Sequence, residues 1–98
     1  MTQVRYHPEA DQELTATALF YHALAPGLAG DFLNEVERTE SFLVAFPYAG
    51  RPIHGDIRRH SVRRFPYDLI YENRGDDLWV LAVAHQRRKP GYWTGRER

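Results

Sequence analysis

Residues 85–93 read HQRRKPGYW. His85 follows directly on the apolar run LWVLAVA, three cations come next, and a Pro-Gly break separates them from Tyr92 and Trp93. An imidazole titrates near neutral pH and can move protons. Tyr92 offers a second proton donor. The same residues also suit a plainer role, with His85 a hydrogen-bonded histidine at a strand end. A second basic run, RRHSVRR, puts Arg58, Arg59, Arg63 and Arg64 on or beside an earlier strand. If these arginines, Lys89 and the aromatics Tyr67, Tyr71, Tyr92 and Trp93 share a face, they form an RNA surface, since arginines fix phosphates and rings stack on unpaired bases. Otherwise the arginines are solvated strand exteriors or contacts for a partner protein, and Tyr67 and Tyr71 are core.

Other chemistries lack their residues. His7, His22, His54 and His60 have no ligand-like spacing, and the chain has no cysteine, so no metal is expected. There is no Gly-rich phosphate loop and no nucleophile elbow, and no small-molecule cofactor is implied. Glu35 and Glu40 read as the wet face of a helix rather than a catalytic carboxylate pair.

These residues need elements to hold them. VRYH (4–7) is a short β-like run. Pro8 suits the first position of a helix, and Glu9, Asp11 and Glu13 suit its first turns. Ala10, Leu14, Ala18, Tyr21 and Leu24 recur at steps of four and three, which predicts a helix over 8–25, stopped by Pro26-Gly27. Leu28, Phe32, Val36 and Leu43, with Leu33 and Phe46 beside them, predict a second helix ending at Pro47. The two-residue break predicts an antiparallel helical hairpin. PYAGRP (47–52) reads as a loop. DIRRHSVRRF (56–65) and PYDLIYEN (66–73) read as strands, the latter with Tyr67, Leu69 and Tyr71 on one face and Asp68 and Glu72 on the other. NRGD (73–76) is turn chemistry. DLWVLAVAH (77–85) is apolar on both faces and reads as a central strand. The expectation is an α+β fold of order β-α-α-β-β-β, a helical hairpin packed on a small twisted antiparallel sheet. Pro90-Gly91 redirects the chain so that Tyr92 and Trp93 pack back on that sheet.

The 98 residues make one domain, 1–98, with 94–98 expected as a mobile tail. So short a chain gains from a partner's added burial. A hydrophobic fraction of 43% argues for a packed core rather than disorder. No signal peptide or membrane span is read, and the absence of cysteine suits a cytoplasmic setting. The formal net charge is zero, yet residues 1–50 carry seven acids and two cations while 51–98 carry six acids and eleven cations. Such a split gives one acidic and one basic face.

At FYHALAPGLAGDFLNEVE, RRFPYDLIYE and VLAVAHQRRKPGYW the chain resembles RelE/ParE-family toxins of bacterial type II toxin–antitoxin systems, over about residues 3–93. The pairing of FPY-x-LIY with a late AVAH-x-RR-x-P-x-YW resembles the ParE-like, plasmid-stabilisation branch. The resemblance implies a toxin neutralised by a cognate antitoxin that wraps the helical hairpin and sheet. It also implies one of two targets: DNA gyrase, inhibited without RNA chemistry, or messenger RNA on the ribosome, cleaved by an endoribonuclease.

RelE-like cleaving members place an arginine directly after the strand-motif tyrosine, where this chain has Asp68. They place another six residues before the late tyrosine, where this chain has Gln86. A carboxylate facing a scissile phosphate repels it. Tyr92 does match the late tyrosine, so a ribonuclease would use His85, Arg87, Arg88 and Tyr92. The resemblance thus favours a ParE-like gyrase inhibitor, with Arg58, Arg59, Arg63, Arg64, Lys89 and Trp93 contacting target or antitoxin. A toxin that has lost its activity and keeps only antitoxin pairing is a third reading.

Overall fold

The computed structural model describes residues 2–97. Two helices, α1 (Pro8–Leu24) and α2 (Leu28–Ala45), follow strand β1 (Val4–Tyr6) and precede β2 (Arg51–His54), β3 (Ile57–Ser61), β4 (Tyr67–Arg74) and β5 (Asp77–His85). The sheet order is β1-β5-β4-β3-β2. His7 caps α1, its Nδ1 accepting from the Glu9 amide at 3.1 Å. Gly27, at φ +80, turns the chain from α1 into α2.

The helical hairpin covers one sheet face. Ala10, Tyr21, Phe32, Val36 and Leu43 pack there on Leu69, Tyr71, Leu78, Val80 and Val83. Tyr67, Leu69 and Tyr71 share this face, as their alternation predicts. A smaller cluster of Ile57, Ile70, Leu81, Ala82, Ala84 and Trp93 fills the far face. A bulge interrupts the alternation along β5. Ile70 pairs with Ala82 and Tyr71 with Val80, so Leu81 is an extra residue on β5. Val80 and Val83 then both face the helices, and β5 is buried on both sides from Val80 to Ala84.

Four expectations are corrected. The sheet is mixed rather than antiparallel, because β1 pairs with β5 in parallel: the two-helix crossover returns the chain at the far edge, and β5 closes beside β1. An additional strand, β2, lies where the sequence reads as loop. It has four residues, one of them Pro52, which an edge strand tolerates because no neighbour needs its missing N–H. The strand expected over 56–65 ends at Ser61, and 62–66 is a turn. Glu35 and Glu40 are not a wet face. Glu35 is buried, and Glu40 accepts a hydrogen bond from Tyr6 Oη, so burial and the facing carboxylate push the Tyr6 phenol far up.

The sequence's core stripes also fray at their ends. Leu24, Leu33 and Phe46 are exposed, while Thr17 and Thr39 take buried positions. The tail read as mobile is tied down over its described part, 94–97, by Arg96; Arg98 lies outside the described residues. Among the described residues, no helix is long and apolar enough to cross a membrane, and no group of three metal-ligating side chains occurs.

Candidate functional site

The pairing register gathers two basic segments at one end of the sheet. Ser61 pairs with Asp68, and Tyr67 with His85. The Val62 amide donates to the Tyr67 carbonyl at 2.8 Å, and the Gln86 amide to the Pro66 carbonyl at 2.9 Å. The β3–β4 turn therefore sits beside the chain leaving β5. Arg63 and Arg64 project from the first, Arg87, Arg88 and Lys89 from the second, and all five are exposed. Arg64 holds φ +73, a left-handed conformation that non-glycine residues rarely adopt. Its guanidinium reaches Asp31 at 3.9 Å, with both side chains about half exposed, so the pair contributes little.

His85 is half-buried at this end. Its Nδ1 accepts from the Arg87 amide at 3.0 Å, and its ring stands edge-on to Tyr67 at 5.1 Å between centroids. With Nδ1 committed as an acceptor, the neutral imidazole carries its proton on Nε2. Tyr92 is held differently. Its ring lies 4.1 Å from the Arg88 guanidinium and 5.1 Å from that of Arg96. Burial first, then the Glu13 carboxylate, pushes its phenol up to about 12, so near neutral pH Tyr92 stays protonated. The crevice lined by Arg59, His85, Arg88 and Tyr92 encloses about 10 Å³. That is room for at most one water-sized group, and a nucleotide would have to lie outside it.

Glu13 and Arg96 finish this corner. β1 stops at Tyr6, leaving the β5 edge beyond Val80 without a strand partner. The Glu13 carboxylate accepts from the Val83 amide at 3.0 Å, and Arg96 donates to the Leu81 carbonyl at 3.1 Å. Arg96 also pairs with Glu13 at 3.0 Å and Glu9 at 3.3 Å. Buried strand-edge groups need partners, and a helix and the C-terminal segment supply them here.

Strand alternation divides the remaining candidates. Arg58 lies on the helix side, donating to the carbonyls of Tyr48 at 3.1 Å and Gly50 at 2.8 Å. Arg59 lies on the far side, where its Nε donates to the Asp68 carboxylate at 2.8 Å. The other Asp68 oxygen accepts from Gln86 Nε2 at 3.2 Å. Asp68 is 7% exposed, so this carboxylate is buried with its charge matched. Gly91, at φ +78, turns the chain back, and Trp93 packs into the far-face core at 6% exposure. Of the residues singled out from sequence, the structure brings His85, Arg63, Arg64, Arg87, Arg88, Lys89 and Tyr92 to one end, commits Arg58 and Arg59 to internal bonds, and buries Trp93. Sequence reasoning missed Glu13 and Arg96. They are 83 positions apart, and no local pattern links them.

The chain matches the family described as "ParE toxin of type II toxin-antitoxin system, parDE" over residues 4–90. No curated protein matches it. Among solved structures it is similar to a chain of the "Chromosomal ParDE TA system from P. aeruginosa", with a TM-score of 0.73 and 22% identity, covering 87% of this chain and 96% of that one. That likeness is one of fold. With the matched segment running from β1 through the basic exit of β5, this chain belongs to the ParE toxin family of type II toxin–antitoxin systems.

Proposed function

We propose that this protein is a toxin that inhibits DNA gyrase by direct contact and is neutralised by a cognate antitoxin. The observation carrying the reading is the Arg59–Asp68–Gln86 cluster. Where cleaving relatives carry arginines, a buried carboxylate and an amide bond one another, and the carboxylate consumes the nearest guanidinium. RNA cleavage needs a base, an acid and cations free to meet a phosphorane. Here Tyr92 is shifted away from neutral pH and flanked by two guanidiniums, and His85 uses one nitrogen internally. Exposed Leu19, Phe20, Leu24 and Leu33 on the hairpin suit an antitoxin segment that folds on binding.

The test is a supercoiling assay with purified gyrase, alongside mapping of RNA 5′ ends after induction in cells. The expected result is loss of supercoiling with messenger RNA intact. Codon-phased cuts on translated messages, abolished by His85→Ala, would overturn the reading in favour of a ribosome-dependent endoribonuclease.

A further inference from the structure

We propose that the cationic end of the sheet is a docking surface for the phosphate backbone of duplex DNA. Arg63, Arg64, Arg87, Arg88 and Lys89 are exposed on two adjacent turns. Among the described residues, Arg63, Arg87 and Lys89 make no ion pair, and Arg64 pairs loosely with Asp31, at 3.9 Å, with its guanidinium over the Phe65 ring. The acids nearest these turns are matched internally, Asp68 by Arg59 and Glu13 by Arg96. The positive charge is therefore local. The chain as a whole is neutral, so the surface attracts a polyanion through placement rather than through net charge.

Geometry favours a duplex. The β3–β4 turn spans β3 and β4, and β5 is the next strand, so the two cationic turns lie one to two inter-strand spacings apart, roughly 5–10 Å. Phosphates flanking a DNA groove are separated on that scale, about 6–12 Å. Single strands are bound chiefly by rings on which bases stack, and the rings at this end are covered. Phe65 is 8% and Trp93 6% exposed, His85 stands against Tyr67, and Tyr92 lies between Arg88 and Arg96. Side chains without base-reading partners predict binding that ignores sequence. A toxin whose target holds DNA would meet this ligand at the target. The biological use of the surface rests on the gyrase reading, whereas the binding does not.

The experiment is fluorescence anisotropy of a labelled mixed-sequence duplex of about 20 base pairs titrated with the full chain between about 50 and 200 mM salt. Each engaged cation contributes about −0.9 to the slope of log K against log salt, so four or five predict a slope near −4 and about a 250-fold weakening over that range. Arg87→Gln, Lys89→Gln and, on the other turn, Arg63→Gln are each expected to make the slope shallower by about 0.9. Arg58→Gln, whose guanidinium is bonded to the Tyr48 and Gly50 carbonyls on the opposite sheet face, is expected to leave it unchanged. No duplex binding at the low-salt end, a slope unmoved by all three exposed-site variants, or tighter binding of single-stranded RNA or a polyglutamate peptide than of the duplex would overturn the proposal. A chain that inhibits gyrase without binding the duplex refutes this surface and leaves the gyrase reading standing. A chain that binds the duplex as described but leaves gyrase active supports the surface and refutes the gyrase reading.

Discussion

Gly50→Ala is expected to be among the most destabilising single-methyl additions in the chain. Gly50 is buried where the loop after α2 meets β4, and its amide donates to Tyr71 Oη at 3.0 Å. The same hydroxyl donates to the Pro47 carbonyl at 2.9 Å. A Cβ at position 50 would sit 2.5 Å from Tyr71 Oη, 2.7 Å from Cε1 and 2.9 Å from Cζ. Contact between such atoms is favourable near 3.5–4.0 Å, so the overlap is about 1 Å. The phenol ring cannot step aside, because Tyr71 is fully buried. Overpacking of this kind costs about 1–3 kcal/mol, and disturbing two neutral hydrogen bonds adds about 1 kcal/mol each. A loss of about 3–5 kcal/mol lowers Tm by roughly 15–20 °C in a domain of this size.

Thermal unfolding followed by circular dichroism measures the effect. Tyr71→Phe, which removes both hydrogen bonds and introduces no clash, should cost about 1–2 kcal/mol. The double variant should cost less than the sum, since it lacks the hydroxyl that the new methyl meets first. A Gly50→Ala protein melting within about 3 °C of the parent, or costs that simply add, would refute the packing argument.

Two further outcomes are expected. Asp68→Ala leaves Arg59 without its carboxylate in a site where the two side chains, Arg59 and Asp68, are 23% and 10% exposed; the cost in a urea melt should be about 2–3 kcal/mol, below the range for fully buried pairs, and an unchanged midpoint would refute it. Because the Tyr92 phenol titrates at about 12 when folded against 10.0 unfolded, its contribution is complete below about pH 10 and is lost as pH rises towards about 12; Tyr92→Phe should therefore soften the alkaline fall in urea midpoint, and an identical fall in both proteins would refute the assignment.

Much of the scaffold is legible in the sequence because it follows from local periodicity. Steps of three and four from Ala10 to Tyr21, and of four and seven from Phe32 to Leu43, specify a helix whichever partner it meets. Tyr67, Leu69 and Tyr71 alternate with polar residues and take the helix side as expected. β2 escaped because four residues containing a proline carry almost no strand signal, and only the β3 neighbour defines it. Leu24 escaped in the other direction, since it keeps the helical spacing but closes α1 at its exposed end.

Periodicity, turn chemistry and motif were enough for the helical hairpin, the long apolar strand, the family and the basic character of the 58–64 and 85–89 segments. Which of those cations are free emerges only once the chain is folded. Arg58 and Arg59 are adjacent and chemically identical, yet strand alternation sends one to the Gly50 carbonyl and the other to Asp68. Arg96, in a stretch that reads as tail, is tied to Glu13 across 83 positions. Residue type fixes a charge, but whether that charge faces water or an internal partner depends on contacts between segments distant in the chain, and local pattern carries no record of those.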